Sequence, residues 1–244
     1  GDIRIGTIGT PLPGVKVKIS DEGEILVQSD YAFTGFYKNP EATAKALKDG
    51  WWYSGDAGHV DEKGHVIFMD RLSELGELKS GMKYAPQYVE SGLRFSTYIK
   101  DAMAIGDKTK DYVTAIIIVD FENAGRWAEI NRVPYTTFTD LSQKEEVAQL
   151  IQSDVERVNK GLPPYAQIKK YVLLHKEFDP DEADLTRTRK LKREALDRRY
   201  LTLINAMYEG KQECPVEAEI TYQDGRKGVL KTSLKIRSVD RETS

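Results

Sequence analysis

Hydrophobic and polar positions alternate with period two from Val15 to Ile19, in Val-Lys-Val-Lys-Ile, which predicts a strand with one buried face. Asp21-Glu22-Gly23 reads as a turn, and Glu24 to Val27 returns along it, so a hairpin is expected. Asn39-Pro40-Glu41 carries a capping side chain, a proline suited to a first turn and an early acid. These predict a helix that runs to Lys48 and stops at Gly50. Tyr53–Val60 and His65–Met69 flank the turn Asp61-Glu62-Lys63-Gly64, a second hairpin across which His59 and His65 are expected to face each other.

Beyond residue 72 the pattern mixes periods. Short strands are expected at Leu75–Lys79, Ala102–Ile105, Tyr112–Val119 and Tyr171–Leu174. Helices are expected after Pro86, over Phe121–Asn131, and from Ser142 to about Lys160, where Ser142-Gln-Lys-Glu145 reads as a capping box. A basic amphipathic helix follows from Leu191. Finally, Val216–Tyr222 and Gly228–Ile236 flank Asp224-Gly225, a strong hairpin signal. The expected fold class is α+β: a β-rich subdomain over 1–72, a small α+β domain over 73–208, and a β-hairpin extension over 209–244.

Composition narrows the function classes. The 244 residues carry 36 Lys+Arg against 39 Asp+Glu, a formal net charge of −3, which does not fit a chain devoted wholly to nucleic acid. The densest apolar run, Val113–Val119, falls well short of the ~18 residues a membrane helix needs. With one cysteine, Cys214, an internal disulfide framework and a cysteine-rich zinc site are excluded. The histidines, His59, His65 and His175, show no ligand spacing, so no metal site is expected on this chain. No secretory signal opens the chain, and a cytoplasmic location is expected. The start Gly1-Asp2-Ile3-Arg4, without Met, suggests a piece of a longer protein.

Three segments carry candidate chemistry. In Trp51-Trp52-Tyr53-Ser54-Gly55-Asp56, Gly55 lets the backbone approach a ligand, and Asp56 is an acceptor able to hold two vicinal hydroxyls. The bland alternative is a turn aspartate beside packing aromatics. In Asp70-Arg71-Leu72-Ser73, the planar fork of Arg71 suits a ribose or phosphate. Its bland alternative is a surface ion pair to Asp70 or Glu74. Asp56 and Arg71 lie either side of one hairpin, a topology that could bring both to one end of the sheet. The third segment, Leu185-Thr-Arg-Thr-Arg-Lys190-Leu-Lys-Arg193, puts cations at an expected helix start, where the dipole disfavours them. Thr186 and Thr188 are expected to cap that helix, and the loop suits an anionic ligand.

In this order, together with Gly23–Val27 and Thr34–Thr43, these segments resemble the C-terminal part of the adenylate-forming acyl-CoA synthetases, over about Gly9 to Tyr200. Tyr53-Ser-Gly-Asp56 resembles that family's Tyr-x-Thr/Ser-Gly-Asp motif, and Asp70-Arg71 its Gly/Asp-Arg motif. The Lys190-Leu-Lys-Arg193 ending is similar to that of long-chain fatty acid–CoA ligases.

The resemblance implies a ligase that makes an acyl-adenylate from ATP and a carboxylic acid, then passes the acyl group to CoA with release of AMP. It implies that Asp56 and Arg71 hold the ribose and that Phe68 packs near the nucleotide. Lys190 would be the adenylation lysine, Gly81 would lie on the CoA path, and Ser73 or Glu74 would be the hinge of a mobile lid. Ser73 stands where the family usually has Asp or Lys, and the stretch from Arg71 to Gly81 is one residue longer than usual. Mg2+ and the phosphate loop would belong to a preceding part, so this piece is expected to be inactive alone. The resemblance implies no nucleic-acid partner, and leaves open the oligomeric state and contact with a membrane surface. The alternatives are another acyl- or aryl-CoA ligase, a peptide-synthetase adenylation domain, or a non-enzymatic module binding nucleic acid or an anionic surface through the basic run Arg187–Arg199.

Overall fold

The computed structural model of the chain describes residues 4, 6–179, 184–221 and 227–239; the opening Gly1-Asp2-Ile3 and the Asp224-Gly225 turn lie outside the described residues. The chain is mixed α+β and divides into two compact units, Gly1–Gly76 with Ala85–Tyr88, and Glu77–Tyr84 with Val89–Ser244.

The first unit is built on one antiparallel sheet. Strands β1 (Val15–Ile19) and β2 (Glu24–Ser29) form the expected hairpin, with Val15 opposite Ser29 and Ile19 opposite Ile25. Helix α1 (Pro40–Ala46) begins as its sequence dictates: Asn39 Oδ1 accepts from the Ala42 amide at 3.0 Å. It does not reach Lys48. Leu47 and Lys48 instead form β3 (Leu47–Lys48), paired with Trp52 and Trp51 at the start of β4 (Trp51–Val60). The turn between them is Asp49-Gly50, both with positive φ (50° and 76°). Asp-Gly is a favoured two-residue hairpin turn, and here it outcompetes the last turn of the helix.

β5 (Val66–Arg71) completes the sheet against β4, and β2 lies on the other side of β4. His59 and His65 do not face each other, because His59 pairs with Ile67. His65 is buried, with its Nδ1 3.1 Å from the Thr7 hydroxyl.

Gly58 marks the tightest crossing in this sheet. A Cβ there would sit 2.4 Å from the Ile67 carbonyl oxygen and 2.6 Å from Ile25 Cδ1. Because one neighbour is backbone, the strand pairing itself must yield. Gly58→Ala is expected to destabilise the chain by about 1–3 kcal/mol, read as a drop in its urea midpoint. An unchanged midpoint would show that β4 and β5 separate at no cost.

A short 3-10 turn (Leu72–Glu74) leads into the second unit through β6 (Gly76–Glu77), which is shorter than the strand expected over 75–79. β6 pairs with β7 (Lys83–Tyr84). Helix α2 (Pro86–Arg94) follows, then β8 (Ile99–Ile105) and β9 (Val113–Val119). Every residue of β9 is buried, because it is a central strand covered on both faces; this is why its sequence is continuously apolar.

After β9 come α3 (Phe121–Ile130), α4 (Phe138–Gln143) and α5 (Glu145–Lys160). The capping box expected at Ser142 is absent. Ser142 is buried inside α4, its hydroxyl donating to the Thr139 carbonyl, and α4 is capped earlier by Thr137, which accepts from the Asp140 amide at 3.1 Å. Lys144 is extended between the two helices, so Glu145 opens α5 and is not the partner of a serine cap. Burial of Val147, Ile151, Val155 and Val158 gives α5 its inward stripe.

β10 (Ile168–Leu173) returns parallel to β9 after this helical crossover. Two short helices, α6 (Arg193–Arg199) and α7 (Leu201–Tyr208), replace the single helix expected from Leu191. β11 (Glu213–Thr221) and β12 (Lys227–Ser238) then form the C-terminal hairpin.

That hairpin extends the sheet of the second unit, since β12 pairs antiparallel with β10, giving the strand order β11-β12-β10-β9-β8. Cys214, Leu234 and Ile236 enter the same core as Ile116, Ile118, Val172, Leu196 and Met207. On the other face Tyr171 is buried and its hydroxyl donates to the Ala148 carbonyl of α5. Arg237 clamps the hairpin to α5 with hydrogen bonds of 2.8 and 2.7 Å to both oxygens of Glu145. Those bonds hold the Glu145 carboxyl down at about 2, against a smaller opposing effect of burial.

Candidate functional site

In the first unit the candidate residues converge on the end of β4 and β5. Asp56 and Arg71 are direct cross-strand partners, and Arg71 Nη1 lies 2.7 Å from Asp56 Oδ1. The guanidinium is therefore paired with Asp56, not with Asp70 or Glu74 as the bland alternative supposed. Among the described residues Asp56 Oδ2 has no hydrogen-bond partner and stays available as an acceptor.

The backbone around this pair is pinned by side chains. Gly55 has φ +75°, and its amide donates to Glu24 Oε1 at 2.7 Å. Glu24 is buried, which fixes that acceptor. Ser54 Oγ donates to the Ile25 carbonyl (2.7 Å) and accepts from the Asp56 amide (3.1 Å). On the opposing strand, buried Asp70 accepts from the Arg71 amide (2.8 Å) and the Gln87 amide (3.0 Å).

Phe68 reaches the same neighbourhood through an irregularity. Ala57 pairs with Asp70 but Gly58 pairs with Phe68, so Met69 is an extra residue in β5. Strict alternation would put Phe68 and Arg71 on opposite faces. The bulge resets it: Phe68 opposes Gly58, Arg71 opposes Asp56, and Asp56 and Gly58 share one face of β4.

In the second unit the basic segment is a tight hairpin loop ahead of α6. Leu185 and Leu191 form an isolated bridge, and the Thr186 amide donates to the Lys190 carbonyl at 2.8 Å. Thr186 Oγ1 accepts from the Lys190 amide (3.0 Å) and lies 3.1 Å from Thr188 Oγ1. The threonines thus close the loop and do not cap the helix. α6 starts after Lys192 with no side-chain cap. Arg189 sits at φ 58°, the left-handed corner of the turn. Lys190 is exposed, and among the described residues no ion pair involves its ammonium.

The remaining candidates occupy exposed turns. Gly81 has φ +81° and donates its amide to the Leu78 carbonyl at 2.8 Å in the β6–β7 turn. Ser73 and Glu74 lie in the single 3-10 turn that precedes β6. Three buried residues around these sites lie in no motif read from the sequence: Gly58, Glu90 and Asp184. Each acts through burial against a distant partner, a signal that a linear pattern does not carry.

Residues 77–212 match the family described as AMP-binding enzyme C-terminal domain. The chain therefore belongs to the AMP-binding enzyme family, whose C-terminal domain residues 77–212 form. It is 33% identical over 208 residues to "Long-chain-fatty-acid--CoA ligase FadD15" of Mycobacterium tuberculosis, covering 85% of this chain and 34% of that protein. To human "Long-chain-fatty-acid--CoA ligase 1" it is 31% identical over 222 residues, covering 85% and 32%. The chain thus spans about a third of the length of these relatives. Its fold is similar to apo MatB from Rhodopseudomonas palustris, with a TM-score of 0.59 at 22% identity, covering 83% of this chain and 37% of that one. It is also similar to the adenylation domain of a Mycobacterium chelonae carboxylate reductase, with a TM-score of 0.53 at 22% identity, covering 82% and 31%. Among the described residues no helix is long and apolar enough to cross a membrane.

Proposed function

We propose that the chain is the C-terminal part of a fatty acid–CoA ligase, which activates its acid with ATP to an acyl-adenylate and transfers the acyl group to CoA. The observation that carries this reading is the Asp56–Arg71 pair at the end of one hairpin, with Phe68 brought to the same face. A ribose offers two adjacent hydroxyl donors to the Asp56 carboxylate, while Arg71 holds that carboxylate in orientation. Phe68 adds an apolar surface beside them.

In this reading the first unit ends the large nucleotide-holding domain, and residues 73–208 form a mobile lid with its hinge at Ser73 or Glu74. Lys190 on the lid offsets the repulsion between the acid's carboxylate and the α-phosphate. Departure of the lid then clears the site for CoA, whose path runs past Gly81. The long-chain subgroup is favoured by the relatives FadD15 and human ligase 1. Mg2+, the phosphate loop and the acyl pocket are assigned to a part of the ligase outside this chain, so the chain alone is inactive.

A duplex-binding role for the basic run is disfavoured because three of its seven cations already face carboxylates. Arg193 pairs with Glu90, Arg198 with Glu194, and Arg199 with Asp184, at 2.8, 4.0 and 2.7 Å.

The test is Asp56→Ala in the longer ligase that carries this segment. Losing a charge-assisted hydrogen bond to the ribose raises the KM for ATP by roughly 10–100-fold, with the KM for CoA unchanged. An unaltered KM for ATP would refute the ribose assignment.

A further inference from the structure

The basic loop is held at both ends by buried carboxylates that no motif of the ligase reading includes. Glu90, on α2, is 2% exposed. Arg193, the first residue of α6, donates from Nη2 to Glu90 Oε2 at 2.8 Å and from Nη1 to the Ala104 carbonyl at 3.4 Å. Glu90 Oε1 in turn accepts from the Ala104 amide at 2.9 Å. One guanidinium fork is thus tied at once to α2 and to the backbone of β8.

At the loop's other end Asp184 is fully buried. Its Oδ1 lies 2.7 Å from Arg199 Nη1, its Oδ2 accepts from the Asp179 amide at 3.0 Å, and its carbonyl accepts from the Lys192 amide at 2.9 Å. Between these anchors Leu185 is buried and Leu191 packs against the same core, so only residues 186–190 project as a turn.

A buried ion pair is a poor way to gain stability, because well-packed apolar residues do as well or better. What it supplies is a defined geometry. The planar fork of Arg193 fits one height on β8 and one approach to Glu90. Lys190 lies three residues before Arg193, so its backbone is tethered close to that anchor.

We propose that Glu90 is a positioning residue: acting through Arg193, it fixes where the basic loop presents the Lys190 ammonium. This rests on the reading of Lys190 as the adenylation lysine. An ammonium stabilises developing charge only if it is already in place, and a displacement on the order of 1 Å costs up to about 100-fold in rate.

The experiment compares Glu90→Gln, Lys190→Ala and the double variant in the longer ligase that carries this segment. Each half-reaction is measured separately, together with the thermal midpoint. Gln keeps the shape and the acceptor for the Ala104 amide while removing the charge. Glu90→Gln is expected to slow adenylation about 10–100-fold. Thiolysis of supplied acyl-adenylate stays at the parental rate, and the variant has no further effect in the Lys190→Ala background.

Arg193→Lys, which keeps the charge and loses the fork, is expected to show the same split and serves if Glu90→Gln does not fold. Unchanged adenylation in these variants, alongside a strong defect in Lys190→Ala, overturns the positioning role and leaves the Lys190 reading intact. Equal loss of both half-reactions shows a structural role only and overturns it as well. If Lys190→Ala itself adenylates normally, the underlying reading fails first.

Discussion

In the ligase proposed above, Lys190→Ala is expected to lower the adenylation rate by at least about 10²–10³-fold, the usual cost of removing one preorganised donor from developing charge. Thiolysis of acyl-adenylate supplied from outside is expected to proceed unchanged. The asymmetry follows from what each step requires. Adenylation drives a carboxylate onto an anionic phosphate and needs a fixed cation between them. In thiolysis the CoA thiol attacks the acyl carbon of a mixed anhydride that is already activated, forming the thioester as AMP leaves, so that cation is not required.

The structure supports this assignment in two ways. Lys190 sits in an exposed turn closed by Thr186, and among the described residues its ammonium is committed to no carboxylate. Its neighbour Arg193, by contrast, is already engaged with Glu90. Measured rates of the two half-reactions decide the matter, and a parallel loss of both would refute the role given to Lys190.

The second large effect concerns folding. Arg193→Ala leaves the Glu90 carboxylate buried without its guanidinium partner and is expected to destabilise the second unit by about 3–5 kcal/mol at neutral pH. The pH dependence gives the sign. Burial holds the Glu90 carboxyl above its ordinary range, with Arg193 the main opposing influence and Arg94 a lesser one. Without Arg193 it moves further up.

A carboxyl raised in the folded state binds a proton that the unfolded chain releases. The variant's stability therefore falls as pH rises from the ordinary carboxylate range through the raised value, and its deficit shrinks on acidification. Urea unfolding of parent and variant across that range, followed by circular dichroism, measures this. A deficit that is constant with pH would mean that Glu90 finds another counterion when Arg193 is lost.

Much of the local structure was legible because local rules decided it. The β1–β2 hairpin follows from alternation, α1 begins where Asn39-Pro40 says it should, and β9 follows from an unbroken apolar run. Where the expectations fail, a competing local signal or a distant contact won. Asp49-Gly50 converts the end of a helix into a hairpin. Thr137 captures the helix start that Ser142-Gln-Lys-Glu145 advertises, leaving Glu145 to Arg237, 92 residues away. The helix expected from Leu191 waits until Arg193, because Leu185 and Leu191 first close a loop.

The order of its chemical segments, Tyr53–Asp56, Asp70-Arg71 and Leu185–Arg193, is a property of the sequence alone, and it suffices to mark the family. Of the side chains proposed to meet a ligand, Arg71 and Lys190 are polar and exposed, so their identity is written in the chain without help from packing. What holds them in place became visible only in three dimensions. Met69 as a bulge, Glu24 behind Gly55, Gly58 against Ile25, and Glu90 with Asp184 around the basic loop all depend on pairing between residues far apart in sequence. A buried charge is tolerated only when the fold delivers its partner, and which residue arrives is decided by tertiary structure.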